Sequence, residues 1–174
     1  MPTSLASLNA SDRAGFVAAL GHLFEHSPWV AEEAFAKGPF PGKEALFAAL
    51  CATMRDAPAG RQLELLRAHP DLAGRLARAG ALTESSAREQ SAAGLDALSA
   101  AETEEIGRLN GAYKARFGFP FIICARLNAK DAILASMRAR LSNGADAELS
   151  TALDEVAKIA RLRLNEVLGE KASP

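Results

Sequence analysis

His69 is the side chain in this 174-residue sequence best suited to proton transfer at neutral pH. It lies in the segment HPDLAG, at a junction between two predicted helices, where Pro70 forces the first helix to end. An imidazole has an unperturbed pKa of about 6.5 and is therefore a natural general acid or base. The alternative is a histidine that only hydrogen-bonds to a helix end, and the sequence leaves both open.

A second polar group follows, with Ser86, Glu89 and Gln90 close together. The spacing Ser86-x-x-Glu89 predicts a capping box at the start of a helix over 86–95. Such a helix start also attracts an anion through its amide groups. Glu89 is therefore first interpreted as a helix cap, with a role in a polar binding wall as the alternative.

Arg163 is the third candidate, because it falls on an apolar face. In the predicted last helix, over 145–168, apolar residues recur at steps of three or four and align with Arg163, whereas Arg161 points away. These apolar residues are Leu149, Leu153, Val156, Ala160 and Val167. An arginine in that position must find an anion or extend its charged end outward to solvent. Arg163 is either one partner of a structural ion pair with a buried carboxylate or a residue that binds a carboxylate or carbonyl of a substrate. Its planar guanidinium group can donate two parallel hydrogen bonds to such a group.

The elements that must position these residues are predominantly helical. The helical spacing of apolar residues, together with the Gly, Pro and capping residues that bound helices, predicts the helical segments. They lie over about 12–24, 28–36, 44–56, 60–68, 86–95, 100–116, 130–142 and 145–168, with a short one from Pro70 to near Gly80. Ser99-x-x-Glu102 predicts a second capping box. FGFPFIICARL, at 117–127, is predicted to be extended and buried. The fold class is therefore all-α: a compact single-domain bundle of about eight or nine helices.

Composition excludes several functional classes. With 20 basic and 21 acidic residues, no broad basic surface is expected, so nucleic-acid binding is disfavoured. No apolar run is long enough to cross a membrane, and the first residues do not resemble a secretory signal, so a cytoplasmic location is expected. Cys51 and Cys124 lie far apart without CxxC spacing, which argues against a disulfide framework or a zinc site. His22 and His26 have no further ligand nearby, and a surface or capping role is favoured for them.

Four segments in order now carry a resemblance: HPDLAG, LTESSAREQSAAGLD, LNGAYKARFGFPFIICARLNAKD and EVAKIARLRL. Together they resemble the OHCU decarboxylase family, the 2-oxo-4-hydroxy-4-carboxy-5-ureidoimidazoline decarboxylases, over nearly the whole chain. FEHSPW and the GPF loop are also similar to that family. The resemblance implies one all-α domain over 1–174 that needs no cofactor or metal. It also implies a small ureidoimidazoline substrate, converted to (S)-allantoin and carbon dioxide.

The resemblance implies roles for individual residues as well. It makes His69, Glu89 and Arg163 catalytic. It assigns substrate binding to Pro70, Ser86, Gln90 and the backbone segment Phe121, Ile122, Ile123, Cys124 and Ala125. It favours a homodimer, with no nucleic-acid or membrane partner.

Two other functions compete with this one. A helical module could bind a ureide or purine in the same pocket without catalysis, but no DNA-binding or partner domain is apparent. A helical scaffold with a structural Arg–Glu pair would have no pocket at all.

Overall fold

The computed structural model describes residues 3–74, 77 and 79–170. Within these ranges the regular structure is helical and contains no strand, which confirms the all-α class. The described α-helices are α1 Leu5–Ala10, α2 Arg13–Leu20, α3 Trp29–Ala34, α4 Lys43–Arg55, α5 Ala59–Arg67, α6 Glu84–Ala92, α7 Ala100–Phe117, α8 Lys130–Arg140 and α9 Ala145–Val167. Short 3-10 helices cover Phe35–Lys37 and Ala125–Leu127. The helix predicted between Pro70 and Gly80 falls partly on residues 75, 76 and 78, outside the described ranges.

The chain divides into two compact units, one formed by residues 1–68 and 156–174 and the other by residues 69–155. Helix α9 contributes to both, since its residues up to Glu155 belong to the second unit and the remainder to the first. The first unit contains a core of apolar helix faces, in which α3 packs on α2 and α4. Its fully buried side chains include Phe16, Leu20, Leu46, Leu50 and Leu66.

The helix predicted over about 12–24 starts within one residue of the prediction but ends four residues earlier. Helix α2 is capped by Asp12 and ends at Leu20, because Gly21 takes the C-cap position. The chain then turns through 21–28, and Leu23 and Phe24 are buried there although they are not helical. His26 has a φ of 47°, a left-handed conformation that is strained for a residue other than glycine.

In the second unit, α7 leads into the segment that was predicted to be extended. The capping box of Ser99 and Glu102 starts this helix as predicted. The helix stops at Gly118, whose φ of 77° is a conformation that glycine adopts without steric cost. Residues 119–124 are buried and have no regular secondary structure, Cys124 has an extended backbone, and the rings of Phe119 and Phe121 pack edge-on against Tyr113. The predicted burial of 117–127 is confirmed for 119–125, whereas Phe117 ends α7, Ala125–Leu127 form a 3-10 helix and Leu127 is exposed.

Candidate active site

The loop that carries His69 is held by three hydrogen bonds within the second unit. The Asp71 carboxylate accepts from Lys114 Nζ at 2.7 Å, and the Leu72 carbonyl accepts from Asn110 Nδ2 at 2.9 Å. The Ala73 amide donates to Gln90 Oε1 at 2.8 Å. His69 itself, the first residue of this loop, is buried at 9% exposure. The HPDLAG segment is therefore a fixed support for an imidazole rather than a mobile loop.

Two residues of this loop explain why the motif ends in Ala-Gly. Ala73 has a φ of 48°, and its amide is bonded to Gln90, so the strained backbone is stabilised by a partner. A Cβ on Gly74 would lie 2.6 Å from the Asp71 Cβ, which is too close for any other residue without rearrangement. The loop conformation therefore depends on both positions and on Gln90.

Helix α6 begins two residues earlier than the sequence analysis predicted. Thr83 is its N-cap, and the Thr83 hydroxyl accepts from the Ser86 amide at 3.3 Å. The predicted capping box of Ser86 and Glu89 is therefore wrong, because both residues lie inside the helix. Ser86 and Gln90 are buried, whereas Glu89 is half-buried. Since Glu89 does not cap the helix, its carboxylate is released from the role that competed with a catalytic one.

The same helix packs against the 3-10 helix Ala125–Leu127. This brings Glu89 into electrostatic range of Cys124. Burial, together with the charges of Glu155 and Glu89, raises the pKa of the Cys124 thiol to about 11. Two carboxylates therefore act on the segment that follows FGFP.

The backbone of 121–125 is an unusual hydrogen-bonding surface. All five residues are buried, with exposures between 1% and 7%. The Cys124 amide donates to Glu155 Oε2 at 2.8 Å. Among the described residues, no acceptor is bonded to the amides of Phe121, Ile122, Ile123 or Ala125. Because buried amides are almost always paired, four such donors in one segment indicate a site for an oxyanion or a carbonyl ligand.

Arg163 lies in the first unit and is paired there. It is buried, as the helical phase predicted, whereas Arg161 is partly exposed and binds Glu44. Arg163 Nη1 donates to Glu25 Oε2 at 2.9 Å and to the His22 carbonyl at 3.2 Å. Glu25 is only 2% exposed. The buried carboxylate that the ion-pair alternative requires is therefore present, in the FEHSPW segment.

Four buried charged residues were not predicted from the sequence: Glu25, Arg140, Glu148 and Glu155. Each is buried, yet each lies in a helix or turn whose pattern looked ordinary. A signal was available for Glu155, because Ala152 and Ile159 stand three residues before it and four residues after it, on the same face of α9. Within the described ranges, no cluster of three or more His, Cys, Asp or Glu side chains could hold a metal ion. No helix in those ranges is long and apolar enough to cross a membrane.

One unit of this all-α fold thus contains a buried histidine, a half-buried carboxylate and a segment with four unpaired amides, an arrangement that fits the class of enzymes acting on a small molecule. Comparison with known proteins gives the particular family. The family model described as OHCU decarboxylase matches residues 9–165. The chain belongs to the OHCU decarboxylase family.

Individual relatives agree with this assignment. The chain is 44% identical to the 2-oxo-4-hydroxy-4-carboxy-5-ureidoimidazoline decarboxylase of Haloferax volcanii, over 94% of this chain and 95% of the relative. A crystal structure of (S)-allantoin synthase matches with a TM-score of 0.74 and 31% identity, covering 95% of this chain and 54% of that one. A crystal structure of OHCU decarboxylase in the presence of (S)-allantoin matches with a TM-score of 0.68 and 26% identity, covering 92% of this chain and all of that one.

Proposed function

We propose that this protein decarboxylates 2-oxo-4-hydroxy-4-carboxy-5-ureidoimidazoline and releases (S)-allantoin and carbon dioxide. Family membership and the names of the relatives support the reaction. The single structural observation that carries the proposal is that the buried amides of Phe121, Ile122, Ile123 and Ala125 have no acceptor among the described residues, in a segment that leads into the 3-10 helix packed against the helix bearing Glu89. These amides match a substrate on which negative charge develops.

The reaction can proceed with side chains alone. The bond between the ring carbon and its carboxylate breaks, carbon dioxide leaves, and the electron pair moves into the adjacent carbon–nitrogen π system. A proton from the enzyme or solvent is then taken up, and the hydroxyl becomes the carbonyl of allantoin while the neighbouring carbon is protonated on one face. The enzyme must stabilise the developing charge and deliver the proton from one side.

The residues divide these tasks. The amides of Phe121, Ile122, Ile123 and Ala125 stabilise the developing negative charge, and His69 moves the proton at the hydroxyl or at the reacting carbon. Glu89 orients His69, a role supported by its release from helix capping. Pro70, Ser86 and Gln90 line the binding site, with Gln90 also holding the loop beside His69. Arg163 binds a carboxylate or carbonyl of the substrate while Glu25 fixes its side chain.

The experiment is incubation of the purified protein with freshly generated substrate, followed by circular dichroism of the allantoin. Spontaneous decay gives racemic allantoin, so a growing dichroic signal of the S enantiomer reports enzymatic protonation on one face. A product without optical activity, formed at the uncatalysed rate, would overturn the proposed function. A helical module that binds a ureide without catalysis would give that result together with measurable ligand binding.

We further propose that residues 1–174 act as one functional domain, in the cytoplasm, as a homodimer. The match of the family model to 9–165 supports the single domain, and the family resemblance favours the dimer. Analytical ultracentrifugation measures the assembly directly. A sedimentation coefficient of a monomer at the concentrations used for the activity assay would overturn the dimer.

A further inference from the structure

We propose that Glu155 is a positioning residue for the decarboxylation, and that together with Arg140 it fixes the backbone of residues 121–125 in the shape that presents the four unpaired amides, those of Phe121, Ile122, Ile123 and Ala125, to the substrate. This inference rests on the proposed function. It concerns two charged side chains on two different helices that bond to the same five-residue segment.

The first contact is made by Glu155 on α9. Its Oε2 accepts the Cys124 amide at 2.8 Å, and Glu155 is only 8% exposed. The Cys124 carbonyl is also occupied, because it accepts from the Leu127 amide at 3.1 Å and from Asn128 Nδ2 at 3.0 Å. Both backbone groups of Cys124 are thus bonded within the protein. The middle of the segment is fixed, and the Cys124 amide is removed from the set that can face a ligand.

The second contact is made by Arg140 on α8. Its Nη1 donates to the Ile122 carbonyl at 2.8 Å, and its guanidinium lies over the Phe121 ring at 4.3 Å. Arg140 is itself held by Glu148, with Nε and Nη2 each 3.0 Å from a carboxylate oxygen. Tyr113 and Asn143 donate to the same carboxylate. Arg140 is therefore a rigid support rather than a free cation.

Together the two contacts orient the segment. One helix accepts its amide at 124, and another donates to its carbonyl at 122. Because the Cys124 amide and the Ile122 carbonyl are both held, the backbone between them is constrained, and with it the direction of the neighbouring amides. Donors that stabilise developing charge are effective only if they are already aligned before reaction. The segment has no regular secondary structure up to Cys124, so these side-chain contacts must supply that alignment.

Glu155 is the better of the two for an experiment. Removing Arg140 would leave the fully buried Glu148 without its main partner and would cost stability for a separate reason. Two conservative substitutions separate the roles of shape and charge at 155. Glu155→Gln keeps an oxygen at the position that accepts the Cys124 amide but removes the charge. Glu155→Asp keeps the charge but withdraws the oxygen by one methylene.

The experiment compares wild type, both variants and Leu153→Ala, a core truncation on the same helix that carries no polar group. Each is assayed for kcat, KM and the optical purity of allantoin, and the exchange rate of the Cys124 amide is measured by NMR without substrate. We expect Glu155→Gln to retain most of kcat and slow exchange. We expect Glu155→Asp to lose at least about tenfold in kcat with little change in KM. Complete removal of one donor to a developing oxyanion costs ~10²–10³-fold, and misaligned donors should lose part of that. The Cys124 amide of Glu155→Asp should exchange faster.

Leu153→Ala should lower the melting temperature without lowering kcat per folded molecule, so a fall in kcat in Glu155→Asp is not explained by stability. The positioning role would be overturned if Glu155→Gln lost more kcat than Glu155→Asp, or if both variants lost the same. It would also be overturned if both kept the kcat of the wild type. A wild-type protein that forms no (S)-allantoin would overturn the proposed function instead. In that case the exchange rates still decide whether Glu155 holds the segment, and equal rates in all variants would refute it.

Discussion

Arg163 and Arg161 provide a matched test within one helix, because each binds a glutamate in a different environment. Arg163 and Glu25 are 3% and 2% exposed at their side chains and 2.9 Å apart. Arg161 and Glu44 are 31% and 72% exposed and 2.6 Å apart. We predict that substitutions at Arg163 affect both turnover and stability, whereas the equivalent changes at Arg161 affect neither strongly.

The expected magnitudes follow from burial. Removing one partner of a buried ion pair costs about 3–5 kcal/mol, because the remaining charge stays buried. In a chain of this length, each kcal/mol lowers the melting temperature by about 2–4 °C. Glu25→Gln should therefore lower it by roughly 6–20 °C. An exposed pair contributes about 0–1 kcal/mol, so Glu44→Gln should lower it by no more than about 4 °C.

The conservative variant separates a substrate clamp from a purely structural pair. Arg163→Lys keeps the positive charge for Glu25 but loses the planar fork that binds a carboxylate or carbonyl at two points. A clamp therefore predicts a large fall in turnover per folded molecule with a moderate fall in melting temperature. Arg161→Lys should be nearly silent in both measurements.

The assays are thermal melting and the initial rate of (S)-allantoin formation for all four variants, with rates normalised to the folded fraction. Normal turnover in a folded Arg163→Lys protein would refute the clamp and leave Arg163 as a structural ion pair. A greater loss of turnover in Arg161→Lys than in Arg163→Lys would contradict the assignment of the two arginines on α9.

Four further results are expected. His69→Ala should stay folded and lose about 10²–10⁴-fold in rate, and unchanged turnover would rule out acid–base catalysis by this residue. Glu89→Gln should cut the rate with little change in melting temperature, since Glu89 does not cap α6; a lower melting temperature with normal turnover would reverse that assignment. Exhaustive chelation should leave activity intact, and a loss restored by zinc or manganese would contradict this. The pKa of Glu148 is lowered because hydrogen bonds from Arg140, Tyr113 and Asn143 outweigh the effect of burial. The ionised Glu148 therefore stabilises the fold above its ordinary pKa of 4.5, and this stabilisation is lost as the pH falls through its lower pKa in the folded protein. In Glu148→Gln, the free energy of unfolding should depend less on pH in this acidic range.

Local sequence signals determined most of the helical framework. The Ser99–Glu102 capping box and the Gly118 terminus set α7, and Asn143-Gly144 separates α8 from α9. The apolar repeat of α9 predicted that Arg163 is buried and Arg161 is not. These predictions succeeded because caps, breakers and helical periodicity act over a few residues, and the sequence displays them directly.

The start of α6 shows where local signals are ambiguous. Thr and Ser are both residue types that cap helices, and the spacing Ser86-x-x-Glu89 predicted that the helix starts at Ser86. The structure uses Thr83, which places Ser86 and Gln90 on the buried face of the helix and lets Gln90 reach the Ala73 amide. Packing of a whole helix face therefore decided between two caps of similar quality, and with it whether Glu89 is a cap or a candidate for catalysis.

Only the tertiary structure could identify the partners of the buried charges. Glu25 and Arg163 are 138 residues apart in sequence, and Glu155 and Cys124 are 31 apart. A buried charge requires a partner, so the sequence predicted that Arg163 would have one. Which carboxylate it is, and which amide of 121–125 is occupied, depends on chain segments meeting across a core, and no local pattern encodes that geometry. The sequence thus determined the elements and the types of side chain, and the packing of the helices decided which of those side chains meet.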